Sequence, residues 1–286
     1  MTEREKIMRH NLGVRTAGAA VALALGWVAS AAADDDKTRR VEGLSFESVL
    51  VMDNIRVEIS QDEEHVLRYR TDVEEFDREP FYIARGNTLV LRKSRRGDVR
   101  FRVSMPSLES VTVRGSGSAY VKPFSLPDSS TGTAEFILDG SGDLRLYGFE
   151  GPEVELSVKG PGDLKAVNVE AGDIIAVVSG SGELYLREVK ADRGMFTVTG
   201  SGDLEVTERG EVREIEVDVV GSGDAELDVV DCRDAEVNVV GSGNVSLGRV
   251  ERSLTATILG SGDIRYRGDP KIERTIFGSG DIRARD

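Results

Sequence analysis

Seven carboxylates at one position of a recurring tetrapeptide are the first candidates for chemistry in this chain. The tetrapeptide reads GSGS at 115, GSGD at 140, GPGD at 160, GSGE at 180, GSGD at 200 and 221, GSGN at 241, and GSGD at 260 and 278. A ladder through Asp143, Asp163, Glu183, Asp203, Asp224, Asp263 and Asp281 could hold calcium between stacked repeats. Calcium prefers about six to eight oxygen ligands, so one carboxylate per repeat is thin. The competing reading has these side chains accept N–H bonds of the turn, which Ser118 and Asn244 suit at least as well as Asp. It is preferred, and no resident cofactor is expected. A phosphate cradle fails, because the Lys-Ser/Thr pair of a P-loop is missing and strands, not a helix, follow the glycines.

The glycines have a backbone explanation. In GPGD, Pro161 at the second position and Gly162 at the third fit a type II turn, with positive φ expected at the third residue. Glycine holds that position in all nine copies.

Other chemistry-bearing residues are sparse. His65 lies among charged residues, and no nucleophile is placed beside it. The turn serines, such as Ser116, Ser141 and Ser201, recur with the turn and none is singled out for catalysis. Cys232 is the one cysteine, so no internal disulfide forms, and it is expected to be a small packing residue. His/Cys metal-ligand spacing is absent. Tyr147, Tyr185 and Tyr266 are the candidate platforms for a sugar, though Tyr266 falls at an inward position. No catalytic or cofactor-binding residue is therefore expected.

The elements that position these residues are strands. The intervals between the nine turns are 25, 20, 20, 20, 21, 20, 19 and 18 residues. A period near 20 is the mark of a solenoid. Residues alternate apolar and polar around each turn, which argues strand. Leu144, Leu164, Leu184 and Leu204 follow the turns, and Leu138, Val158, Val178 and Val198 precede them. Such columns are what stacked coils produce, each pairing with the next about 4.8 Å away. The five extra residues of the 115–139 repeat, around FSLPDSSTG, are expected as a surface bulge. Gly148, Gly151, Gly172 and Gly194 are expected to mark a second bend.

The expected organisation is a signal peptide over 1–33, a flexible leader over 34–43, and one β-solenoid over 44–286. Within it, 44–114 forms irregular N-terminal coils and 115–286 the GSGD repeats. The signal peptide rests on Arg9 and Arg15, the short apolar run, and Ala31-Ala32-Ala33. The run is short for a membrane span, and Asp34, Asp35 and Asp36 follow it. The formal charge is −14 over the 286 residues and −16 once residues 1–33 are removed. A nucleic-acid partner is disfavoured, since phosphate binding needs a basic footprint. A self-repelling acidic product is expected to be a monomer. At the C-terminal end Arg265, Arg267, Arg274, Arg283 and Arg285 are expected to guard an edge from pairing.

Three segments together carry a resemblance: FESVLVMDNIRVEISQ from Phe46, GNTLVLRK, and VRFRVSMPSLESVTVRGSGS with its Met105-Pro106-Ser107-Leu108. Followed by GSGD repeats, they resemble the GIN-domain family, the head domain attributed to autotransporter adhesins, over roughly residues 44 to 286. The resemblance implies an exported, all-β protein, a right-handed parallel β-helix (β-solenoid), and no established chemistry. Two functions follow as expectations. The first is a non-catalytic binding, adhesin-like or structural module of the cell envelope, periplasmic or at the surface, whose partner is an envelope glycan or protein. The second is a carbohydrate-active enzyme, a polysaccharide lyase or hydrolase on a β-helix. The second needs coil-specific acids and bases in a groove built by long loops, whereas here the loops are short and the acids recur as columns.

Overall fold

A computed structural model describes residues 38–71, 81–93, 97–127 and 132–285. The expected signal peptide and residues 34–37 of the leader lie outside them. The described elements are all strands, and they form a β-solenoid.

The repeats follow the alternation of the sequence. The strand after each turn pairs in parallel with its equivalents in the coils on either side, as Asp143–Leu146 does with Ser118–Val121 and Asp163–Ala166. The strand before each turn does the same, as Phe149–Gly160 does with Ala134–Gly140 and Val169–Gly180. Each coil's N–H and C=O groups are therefore satisfied by its neighbours rather than by itself. Leu144, Leu164, Leu184 and Leu204 are fully buried, and so are Leu138, Val158, Val178 and Val198. No coil could bury these residues alone, which makes stacking the source of stability. The inward columns give out in the last coil, where Arg274, Ile276 and Ala284 are exposed and no described strand lies beyond.

The corner expected at glycines is found at Gly172 and not at Gly151 or Gly194. The pairing passes over Pro152, Gly172 and Asp192, one per coil, while Gly151 pairs Ala171 and Gly194 pairs Ile174 within the ladder. The expected bulge at 124–132 is also corrected in part. Phe124–Ser125 pairs Phe149–Glu150, and Phe124 is buried, because these residues continue the inward alternation. Residues 128–131 lie outside the described residues.

The N-terminal part joins the same sheet and the same apolar core. Its strands are β1 (Thr38–Val41), β2 (Ser48–Met52), β3 (Arg56–Gln61), β4 (Val66–Thr71), β5 (Tyr82–Arg85), β6 (Thr88–Leu91), β7 (Val99–Met105), β8 (Ser110–Gly115) and β9 (Ser118–Val121). The coil made by β2 and β3 lies between the coil of β8 and β9 and the coil of β6 and β7, parallel to both. The first coil in sequence is thus not the last in space. Beyond it the pairing turns antiparallel: β5 on β6, β4 on β7, and β1 on β4. The flexible leader expected over 34–43 is corrected at Thr38–Val41, a strand that satisfies the outer edge of β4.

Candidate functional site

The GSGD turns owe their glycines to two different constraints. Positive φ falls on the first glycine of every copy, from +102° at Gly115 to +148° at Gly140, and not on the third residue as a type II turn requires. A side chain is strained in that region. The second glycine is required for space. A Cβ on Gly142 would lie 2.0 Å from the carbonyl oxygen of Gly117 in the preceding coil, and one on Gly202 would lie 2.2 Å from that of Gly182. The turns stack backbone on backbone: the N–H groups of Ser222 and Gly223 both donate to the Gly200 carbonyl, at 2.8 and 3.1 Å.

The fourth-position residues divide into two sets. At Asp143, Asp163, Glu183 and Asp203 the backbone N–H donates to a glycine carbonyl of the preceding turn, at 3.0 to 3.3 Å. From Asp224 onward it donates to the side chain one coil back. Asp224 N–H reaches Asp203 Oδ1 at 2.9 Å, Asn244 N–H reaches Asp224 Oδ1 at 2.7 Å, and Asp281 N–H reaches Asp263 Oδ1 at 3.1 Å. Asn244 carries both ends of this ladder: its Nδ2 donates to Asp224 Oδ1 at 2.9 Å, and its Oδ1 accepts from Asp263 N–H at 3.1 Å. These bonds run from coil to coil rather than within a turn. Among the described residues no group of three or more His, Cys, Asp or Glu is placed to hold a metal ion.

The remaining candidates from the sequence are dispersed. His65 is half-buried, its Nε2 donating to the Phe46 carbonyl at 2.8 Å and its ring edge-on to Phe46. Cys232 is buried, and that burial, followed by nearby Asp231 and Asp234, pushes its thiol up to about 12, so it stays protonated at neutral pH. The Tyr185 hydroxyl donates to Glu183, which pushes its own pKa up to about 12, and Lys165 lies over its ring at 4.7 Å. Tyr266 is half-buried against the core, and Tyr147 is exposed. Three of the C-terminal arginines meet carboxylates: Arg265 and Arg283 lie 3.2 and 3.6 Å from Asp263, and Arg285 contacts Asp228.

A feature that sequence reading missed lies on the face formed by β1, β4, β7, β3 and β9. Two files of outward residues cross these strands. In one, Arg70 stands opposite Arg100, and Arg100 opposite Arg56. In the other, Arg40 stands opposite Arg68, Arg68 opposite Arg102, and Arg102 opposite Glu58. Like charges directly opposite across strands are destabilising. All of these residues except Arg40 line an open groove of about 870 Å³ together with Lys122, Tyr120 and Tyr147. Glu58 is the one carboxylate in the lining. It contacts Lys122 and lies 3.5 Å from Arg102. The Lys122 hydrogen bond is the largest of the causes that hold Glu58 below the usual carboxylate range. Arg56 and Arg145 approach the Tyr120 ring at 5.8 and 5.4 Å. Among the described residues, Arg68 and Arg100 have no carboxylate at ion-pair distance. The sequence signal was the pair of alternating runs LRYR and VRFRV, whose arginines share one face at period two. What the sequence withheld was that β4 and β7 are neighbours.

Several cations of the repeats meet acids one coil away. Arg193 lies 2.7 Å from Asp173, and Lys190 contacts Glu170, Arg252 Asp234 and Arg187 Glu208.

The fold has solved counterparts. A protein from Parabacteroides distasonis ATCC 8503, described as a "Putative lipid binding protein", aligns over 87% of this chain and 96% of its own, with a TM-score of 0.64 and 23% identity. A "putative adhesin" from Parabacteroides merdae ATCC 43184 aligns over 87% and 95%, with a TM-score of 0.62 and 18% identity. A second "putative adhesin" from Parabacteroides distasonis ATCC 8503 aligns over 86% and 95%, with a TM-score of 0.60 and 16% identity. No curated protein matches the chain in sequence. Residues 45–270 match the family model described as "Putative auto-transporter adhesin, head GIN domain", and the chain belongs to that family.

Proposed function

We propose that this protein is an exported, non-catalytic binding module of the bacterial cell envelope, and that it binds through the arginine-lined groove rather than through the GSGD turns. The observation that carries this is the pair of facing cations Arg100–Arg56 and Arg68–Arg102 on a chain of net charge −14. A stack that pairs cations with acids elsewhere gains nothing in stability from this arrangement, so a ligand is its best physical account. The description of relatives as adhesins, and of one as lipid-binding, supports a binding role. Export is supported by the basic stretch, apolar run and small residues of 1–33, and no helix among the described residues is long and apolar enough to cross a membrane. Catalysis finds little support in the groove. Glu58, with its lowered pKa, is ionised at neutral pH and is a poor proton donor.

The turns need no resident ion on this reading, because the side-chain oxygens of Asp203, Asp224 and Asp263 already accept N–H bonds. The test is retention of residues 34–286 on fractionated envelope material, with glycan and protein fractions kept apart, each in calcium and in chelator. Saturable retention is expected, with equal thermal melts in the two conditions. No retention on any fraction would overturn the binding module. A melt raised by calcium would restore the calcium ladder through Asp143 to Asp281.

A further inference from the structure

We propose that the groove takes a short segment or end of an acidic glycan whose sugars carry carboxylates. This rests on the binding-module reading and names its ligand class.

The charges select an anion. Arg68 and Arg100 have no carboxylate partner among the described residues, and each faces other arginines across the ladder. Arg70 has a further interaction of its own. A guanidinium presents a planar fork that binds carboxylate with two parallel hydrogen bonds. The two files lie about 7 Å apart along the strands, and the arginines in each are about 4.8 Å apart along the solenoid axis. That grid suits an extended chain bearing an anion on successive units better than a single small ion.

The tyrosines select a sugar. Tyr147 is exposed at the groove. Tyr120 stands opposite Glu58 in the outward ladder, with Arg56 and Arg145 5.8 and 5.4 Å from its ring, so its place in the wall is fixed. Aromatic rings beside charged donors offer an apolar surface to the C–H face of a sugar while its carboxylate meets an arginine. A lipid would lack a place for its chains. Tyr147 is the one exposed large apolar residue lining the groove, and the others among the described residues, such as Val240, Leu259 and Phe277, lie in later coils.

The neighbouring file sets the length. Beyond Arg56 it passes to Ser118 and then to Asp143 and Asp163. A long polyanion laid along this file, nucleic acid included, would run from arginines onto carboxylates, and along the adjacent file it would meet Glu205 and Glu226 beyond Lys165 and Tyr185. A short acidic segment or a chain end would not.

The experiment titrates residues 34–286 with trigalacturonate and, separately, with uncharged maltotriose. Saturable binding of trigalacturonate that weakens as salt rises, with none for maltotriose, is expected. The double variant Arg68→Ser/Arg100→Ser should bind trigalacturonate at least about tenfold more weakly, from the loss of charge-assisted contacts. Its melting temperature should be unchanged or higher, since it removes opposed cations, and this separates lost binding from lost folding. The control Arg187→Ser/Arg193→Ser, on cations paired with Glu208 and Asp173, should bind as the parent does. Equal affinity of the parent and the Arg68/Arg100 variant would overturn the site. Binding to phosphatidylglycerol vesicles or to single-stranded DNA without binding to trigalacturonate would overturn the ligand class. Retention on an envelope fraction that survives in the double variant would overturn this proposal and leave the binding module standing; no retention anywhere ends both.

Discussion

Glu58 and Glu226 stand in the same outward file of one face, and their surroundings are opposite. The file runs from Glu58 through Tyr120, Arg145, Lys165 and Tyr185 to Glu205 and Glu226. Glu58 sits in a field of cations, and its pKa is lowered, first by the hydrogen bond from Lys122. Glu226 sits in a field of anions, and its pKa is raised, first by desolvation and then by Glu205, Asp228, Asp224 and Asp203. The inward neighbours of the two are alike, being fully buried aliphatic residues: Val57 and Ile59 beside Glu58, Ala225 and Leu227 beside Glu226. The stack therefore fixes what points inward and leaves the outward files free to vary. Function in such a fold is written on the outward files.

The largest test of that comparison is in the core. Leu89→Ala at the N-terminal end and Leu184→Ala in the repeats each remove a fully buried side chain. Each should cost about 3 kcal/mol. Urea titration should show one transition for both variants, since both leucines lie in one apolar cluster. A separate early transition for Leu89→Ala alone would make the arginine face part of an independent unit and break the comparison.

A smaller effect separates the two kinds of turn. Asp224→Ala removes the acceptor of both Asn244 N–H and Asn244 Nδ2 and should cost about 1–2 kcal/mol. The Asp163 carboxylate accepts no such bond from Glu183, whose N–H goes to the Gly162 carbonyl at 3.2 Å. Asp163→Ala should therefore change stability by less than about 0.5 kcal/mol. Equal losses in denaturant melts would mean that the ladder contributes nothing beyond the stacked turns.

The repeats were legible because one rule is applied many times. Leu144, Leu164, Leu184 and Leu204 occupy equivalent places, and a column needs only sequence spacing to be seen. The turn geometry was half legible. Glycine at the third position was anticipated, but for its dihedral angle. Its actual constraint is the approach of a carbonyl one coil away, which no local turn type encodes. The arginine groove was not legible, because it depends on partners rather than spacing. Arg68 and Arg100 lie in different strands separated by a segment outside the described residues. Alternation assigns each to a face but does not say that β4 folds back antiparallel on β7. Nor does it place the β2–β3 coil between two coils that come later in the chain.

The smallest effect probes the comparison directly, through pH. A carboxyl whose folded pKa is raised subtracts stability once it ionises, so the cost is absent below the unfolded pKa and grows as pH rises through the folded value. For Glu226 this means that Glu226→Gln should raise the melting temperature at pH 7, by no more than about 3 °C for so exposed a site. The gain should close as pH falls toward about 4. A carboxyl whose folded pKa is lowered adds stability above its unfolded pKa and loses it as pH falls through the folded value. Glu58→Gln should therefore lower the melting temperature at pH 7, with the deficit shrinking in acid. The two glutamines should thus shift the melt in opposite directions at neutral pH, and high salt should compress both shifts, since these outward groups are screened. Shifts of the same sign would mean that the fields along this file do not differ as the charges of its neighbours require. The arginine face would then owe its character to something other than the opposition of like charges.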